Sequence, residues 1–193
     1  MVGVDERVFL WLNGLAGRWP WLDRVMAFLV NDYFVLLCLS LLLVVLWFIG
    51  GTAEGRAHLQ TTVLTTAAGI GFAVLAVMIL NELFYRPRPF TYLPAKLLFY
   101  RPHDSSLPSN SAAAAFAAAA GIWLGNRKVG LFALILASLY AFSRVYAGVH
   151  FPLDVIAGAA IGFACGYLAF WLFRTLRWVP QAAIWLMRKL RLA

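Results

Sequence analysis

Five apolar stretches, at about residues 33–49, 60–84, 109–125, 130–146 and 153–173, alternate with short polar breaks along the chain. Each comes close to the ~20 residues that a helix needs to cross the hydrocarbon core of a bilayer. The pattern predicts an all-α, polytopic membrane helical bundle of about five or six transmembrane helices, and five spans put the two chain ends on opposite sides. The first 31 residues break the pattern, because Arg7, Arg18, Pro20, Asp23 and Arg24 interrupt the apolar runs at 8–12 and 25–30. Segment 1–31 therefore reads as amphipathic and interfacial, with a sixth span through it as the alternative. Asp5 and Glu6 precede a short apolar run with no small-residue cleavage site behind it, which argues against a cleavable signal peptide.

Composition gives the same answer. The chain has 193 residues, 63% hydrophobic and 12% charged, with a mean hydropathy of +0.82, outside the range of soluble domains. The length suits one domain, 1–193, with a transmembrane core at 32–174 and a tail at 175–193. A net charge of +8 raises the question of nucleic acid, but eight of the sixteen basic residues sit at one set of span ends: Arg56, Arg127, Lys128, Arg174, Arg177, Arg188, Lys189 and Arg191. By the positive-inside tendency those ends and the C-terminus are cytoplasmic. The tail, with Trp178, Trp185 and its arginines, reads as a basic interfacial helix on anionic lipid. Cys38 and Cys165 both fall in apolar stretches, so no disulfide framework is implied. The alanine-rich run 111–121 suits a helix whose neighbours approach closely.

The polar residues are concentrated in two breaks. The connection at 85–108 is unusually long and carries Arg86, Arg88, Lys96, Arg101, His103 and Asp104; loops of that length tend to be functional. The break at 146–153 is short. Both lie on the face opposite the basic ends, so the two segments can meet. In the second, Asp154 follows His150 by four residues, a spacing that can bring the carboxylate to one imidazole nitrogen and leave the other free as nucleophile or base. Arg144 adds a guanidinium suited to phosphate, and Arg86 and Arg88, held between prolines, offer a second cationic clamp. Pro108-Ser109-Asn110-Ser111 opens a helix whose free amides form an anion site. Taken singly, His150 could cap a helix end, Arg86 and Arg88 could be topology residues, and Ser109 could be an ordinary N-cap. Taken together, the blocks describe a phosphate held beside an oriented histidine.

On these blocks the chain resembles the type 2 phosphatidic acid phosphatase superfamily of membrane lipid phosphatases, whose pattern is Lys-x6-Arg-Pro, Pro-Ser-x-His and Ser-Arg-x5-His-x3-Asp. The resemblance covers roughly residues 78–160. The third block matches at Ser143, Arg144, His150 and Asp154. In the first, Arg88-Pro89 matches but Asn81 stands in the lysine position; in the second, Pro108-Ser109 matches but Ser111 stands in the histidine position. The resemblance implies that His150 attacks phosphorus to form a phosphohistidine and that Asp154 orients it. Arg88, Arg144 and Ser109 would bind the phosphoryl group, with Asn110, Asn81 and Arg86 near it and no metal or other cofactor required. It also implies a phosphorylated membrane lipid as partner, in the bilayer, with no nucleic acid.

Ser111 cannot readily donate a proton to a leaving oxygen or activate water as the family histidine does. Three readings stay open: a substitution that traps substrate or abolishes turnover, an impaired protein, or a substrate whose leaving group needs no acid. A lipid monophosphate leaving a diphosphate is such a group. His103 is a possible stand-in acid or base, although it also reads as part of a surface turn, and Lys96 is a possible replacement for the charge missing at Asn81. The Arg86-Pro87-Arg88-Pro89-Phe90 run and the compact length favour the bacterial branch that acts on undecaprenyl diphosphate, at the non-cytoplasmic face of the inner membrane. Phosphatidylglycerophosphate, phosphatidate and lipid A phosphates are alternative substrates. The competing class is a protein that binds phosphorylated lipid without turnover.

Overall fold

A computed structural model of the chain describes residues 3–190; Arg191 lies outside the described residues. Eight α-helices account for the fold, with no strand among the described residues: α1 (Val4–Asn13), α2 (Pro20–Leu29), α3 (Phe34–Phe48), α4 (Ala53–Leu83), α5 (Asn110–Gly125), α6 (Arg127–Tyr146), α7 (Pro152–Thr175) and α8 (Trp178–Lys189).

Local chemistry sets the ends. Thr52 caps α4 by accepting from the Gly55 amide at 3.1 Å, and Ser109 caps α5 from Ala112 at 3.4 Å. Asn126 ends α5 and at once caps α6 from Val129 at 3.2 Å, so the two helices reverse direction through one residue. Pro152 occupies the first turn of α7, where its missing N–H costs nothing.

The centre of the bundle is α5. Ala112, Ala113, Ala115, Ala117, Ala118, Ala119 and Ala120 are all buried, against α4, α6 and α7. The closest seam is with α7, where glycines recur every fourth residue. A Cβ at Gly158 would lie 2.4 Å from the Ser109 carbonyl oxygen, and one at Gly162 would lie 2.4 Å from that of Ala113. Backbone therefore meets backbone, as small residues allow between membrane helices. Gly69 of α4 joins the seam, its Cβ position 3.1 Å from the Gly166 Cα.

By length and composition three helices can each cross a membrane: α4, α6 and α7. A fourth candidate is the pair α2 and α3, bent by 55° at a short break. The break between them covers residues 30–33. The fifth expected span is α5, whose 16 residues reach only about 24 Å at 1.5 Å per residue. It is sheathed by the longer helices, and its N-terminus stops short to leave room for the polar connections above it.

Candidate active site

The turn between α6 and α7 is shaped around His150. Gly148 has φ +84°, and a Cβ there would lie 2.8 Å from the Lys96 carbonyl oxygen, so both conformation and space require glycine. The amides of Val149 and His150 then close on the Arg144 carbonyl at 3.1 and 3.3 Å. His150 is left 2% exposed.

Its two nitrogens have different partners. Nδ1 lies 2.9 Å from the Ser106 carbonyl oxygen, which can only accept, so Nδ1 carries the proton. Nε2 keeps its lone pair, with the Arg88 guanidinium at 3.2 Å and the Ser109 hydroxyl at 3.4 Å. Burial, with Arg144 and Arg88 adding to it against the pull of Asp154, pushes the imidazole down to about 4, so the ring is neutral at physiological pH.

Asp154 does not hydrogen-bond His150 as its spacing suggested; Nδ1 and the nearer carboxylate oxygen are 3.9 Å apart. The carboxylate turns instead to the Ser106 hydroxyl, to the Phe151 amide at 2.9 Å and to Arg86 at 2.5 Å. Spacing alone missed this because the α7 N-terminus draws the carboxylate onto its own first amide. Asp154 is thus linked to the ring through Ser106, whose hydroxyl donates to the carboxylate and whose carbonyl lies against Nδ1. Arg86 is diverted from the expected clamp. It lies 2.6 Å from Asp5 and 4.2 Å above the Phe151 ring, joining α1 to the turn.

Arg88 is 4% exposed and reaches across to the second loop, donating to the Val149 carbonyl at 2.9 Å and to the Asp104 carboxylate at 2.8 Å. Arg144 donates to the Val30 carbonyl at 3.0 Å and to Asp32 at 2.7 Å. Asp32 also accepts from the Tyr100 hydroxyl at 2.7 Å, a bond that, with burial, pushes the phenol up to about 12. Each arginine already holds a carboxylate where a phosphate oxygen would fit.

These groups line one cavity of about 460 Å³. Its head is polar, formed by Arg88, Arg144, His150, Asn110, Ser111, Asp32 and Asp104. Its body is apolar, formed by Leu36, Leu39 and Leu43 of α3, Ile70 and Val74 of α4, and Ala114 and Ala118 of α5. Such a shape suits an anionic head group with a hydrocarbon tail. No group of three His, Cys, Asp or Glu side chains is placed to hold a metal ion among the described residues.

Other expected residues lie apart from this lining. Asn81 is on α4 with its Oδ1 buried and unpaired. Lys96 turns to the Ala16 carbonyl, at 2.5 Å, and cannot replace a charge at Asn81 from there. His103 is exposed and outside the cavity, which removes it as a stand-in for Ser111. The Ser143 hydroxyl bonds back to the Tyr140 carbonyl at 2.6 Å inside α6. Sequence reasoning missed Ser106, Asp5, Asp32, Tyr100 and Asp104. Each acts across a sequence separation too large for any local pattern to show.

Residues 62–178 match the family model of the PAP2 superfamily. The chain belongs to the PAP2 superfamily. Among its PAP2 relatives, the undecaprenyl-diphosphatase BcrC of Bacillus subtilis (strain 168) is 28% identical over 167 residues, 86% of this chain and 83% of that one. The bacitracin transport permease protein BcrC of Bacillus licheniformis is 31% identical, over 90% of this chain and 82% of that one. The crystal structure of Aquifex aeolicus LpxE superposes with a TM-score of 0.69 at 31% identity, covering 87% of this chain and 95% of that one. This PAP2 chain is therefore a membrane protein of a lipid phosphatase family, and its family acts on phosphorylated lipids.

Proposed function

We propose that the chain hydrolyses undecaprenyl diphosphate to undecaprenyl phosphate through a phosphohistidine on His150. The observation that carries this reading is the pinned tautomer: a neutral imidazole whose unprotonated Nε2 stands beside Arg88 and Ser109 in a cavity with an apolar body. Relatives named as undecaprenyl-diphosphatases support the choice of lipid.

The terminal phosphoryl group displaces Asp32 and Asp104 from the arginines and takes their hydrogen bonds. Nε2 attacks phosphorus, the bridging P–O bond breaks, and the lipid phosphate leaves as an anion. That leaving group needs no proton, so Ser111 is tolerated at the position where an acid worth about 10²–10⁴-fold would otherwise be required. Water then attacks the phosphohistidine, the N–P bond breaks and inorganic phosphate forms. Asp104, on the cavity wall beside Arg88, is the base available to take the proton of that water.

The remaining features fit the same reading. The basic ends and C-terminus face the cytoplasm of the inner membrane, the site faces the other side, and α1 and α8 lie at the two interfaces of one membrane domain. The test is phosphate release by purified protein given undecaprenyl diphosphate or a lipid monophosphate. Release from the diphosphate is expected, falling by about 10³-fold or more in His150→Ala, while Ser111→His adds turnover of the monophosphate. Silence until Ser111→His would make the chain a disabled phosphatase, and saturable lipid binding with silence in every variant would make it a binding protein.

A further inference from the structure

The opposite end of the bundle, where α4, α6 and α8 begin and α5 and α7 end, carries a second cavity of about 330 Å³. Arg174, Arg177, His58, Thr61 and Gln181 supply its polar wall; Phe170 and Phe173 supply its apolar one. Its neighbour of about 410 Å³ shares His58, Thr61 and Gln181 and adds Arg188. Among the described residues none of these arginines has a carboxylate within ion-pair distance. The reason is visible in the sequence. Seven of the eight acidic residues, Asp5, Glu6, Asp23, Asp32, Glu82, Asp104 and Asp154, belong to the active-site end, and only Glu54 lies at this one. At the active site protein carboxylates hold the arginines until substrate arrives. Here, among the described residues, no carboxylate does so, and Arg177 Nε donates to the Arg174 carbonyl at 3.2 Å, leaving the remaining guanidinium N–H groups for an anion that pairs with them through charge-assisted hydrogen bonds.

We propose that this cavity binds the phosphate head group of an anionic phospholipid, with Arg174 and Arg177 on the phosphate, His58 and Gln181 beside it, and a fatty chain along Phe170 and Phe173. The aromatic wall selects a lipid over free phosphate. The site needs no turnover at His150 and stands independently of the function proposed above.

The test measures binding of phosphatidylglycerol, phosphatidylcholine and inorganic phosphate to detergent-solubilised full-length protein by native mass spectrometry. Two double variants are compared: Arg174→Gln with Arg177→Gln inside the cavity, and Arg127→Gln with Lys128→Gln at the same end but outside it. Phosphatidylglycerol is expected to bind saturably, about tenfold or more weaker in the cavity variant and within about twofold of the parent in the outside one. Thr61→Phe, which fills the cavity and leaves every charge in place, is expected to weaken binding likewise and carries the test if the double variant does not fold. Equal loss in both double variants would reduce the effect to diffuse surface charge and overturn the proposal. So would equal binding of phosphatidylcholine, or inorganic phosphate binding as tightly as the lipid.

Discussion

A single proton on Nδ1 decides what His150 can do, and a backbone carbonyl rather than a carboxylate holds it there. The pH dependence follows. Because burial lowers the imidazole from its ordinary value near 6.5 to about 4, the ring stays neutral well below pH 6. The kcat/KM limb belonging to His150 is expected near about pH 4 instead of about 6.5, measured with a diphosphate whose own ionisation is accounted for; a limb at the ordinary value would sink the assignment. The same shift bears on stability. Protonation is favoured in the unfolded chain first, so the contribution is whole above about 6.5 and erodes as pH falls toward the folded value. Asp104 has a kinetic signature of its own. In Asp104→Asn the first half-reaction is expected to survive while water attack slows by about 10²-fold or more, so a burst of undecaprenyl phosphate precedes a slow steady state and labelled phosphoenzyme accumulates. No burst and unchanged turnover would remove Asp104 from the second step. Sequence placed Arg144, His150 and Asp154 in one short block, and the cavity indeed opens on His150 and Arg144. It misplaced Arg86, because the Asp5 that draws it away sits 81 residues earlier in a segment that read as interfacial. It could not find Ser106, whose working atom is a carbonyl that every residue possesses.

At the scale of elements, the alanine run and the glycines of α7 explain each other. The low-complexity stretch read as a packing helix, and the reason is the seam in which α7 leaves no room for a β-carbon. The Ser109 amide donates to the Asp154 carbonyl at 3.0 Å, so the seam extends into the site and fixes the helix that carries Ser109 to the one that carries Asp154. Gly162→Leu, about two turns beyond Asp154, is expected to cost about 1–3 kcal/mol or more through overpacking, read as a lowered unfolding temperature in detergent with a parallel loss of phosphate release. The same change at Gly71, where a Cβ meets nothing within 4 Å, is the control and should be tolerated. Hydropathy found the apolar stretches behind α3 to α7 but could not show that α5 runs enclosed by the others. An alanine helix enclosed by protein and one facing lipid are equally apolar, and only the lengths, 16 residues against 20, 24 and 31, separate them.

Across the whole molecule the acidic residues are gathered at one end: seven of the eight lie at the end that carries His150, while the basic residues are divided evenly between the two ends. The cavity is divided too, its head built by the α4–α5 and α6–α7 connections, the adjoining ends of α5 and α6 and Asp32 of the α2–α3 break, and much of its apolar body by α3. Replacing α2 and α3 (residues 20–48) with the corresponding hairpin of a PAP2 relative acting on a different lipid is expected to change relative KM values among lipids by about tenfold, with kcat within about threefold. A collapse of kcat instead would mean that the Arg144 contacts to Val30 and Asp32 are indispensable to the chemistry. The bend of 55° between α2 and α3 acquires a meaning from this arrangement. A rigid rod would tie the recognition of the tail to the placement of the arginine, so that any drift in one would disturb the other. A jointed wall leaves side chains on α3 free to change the shape of the apolar body without moving the Val30 and Asp32 contacts to Arg144.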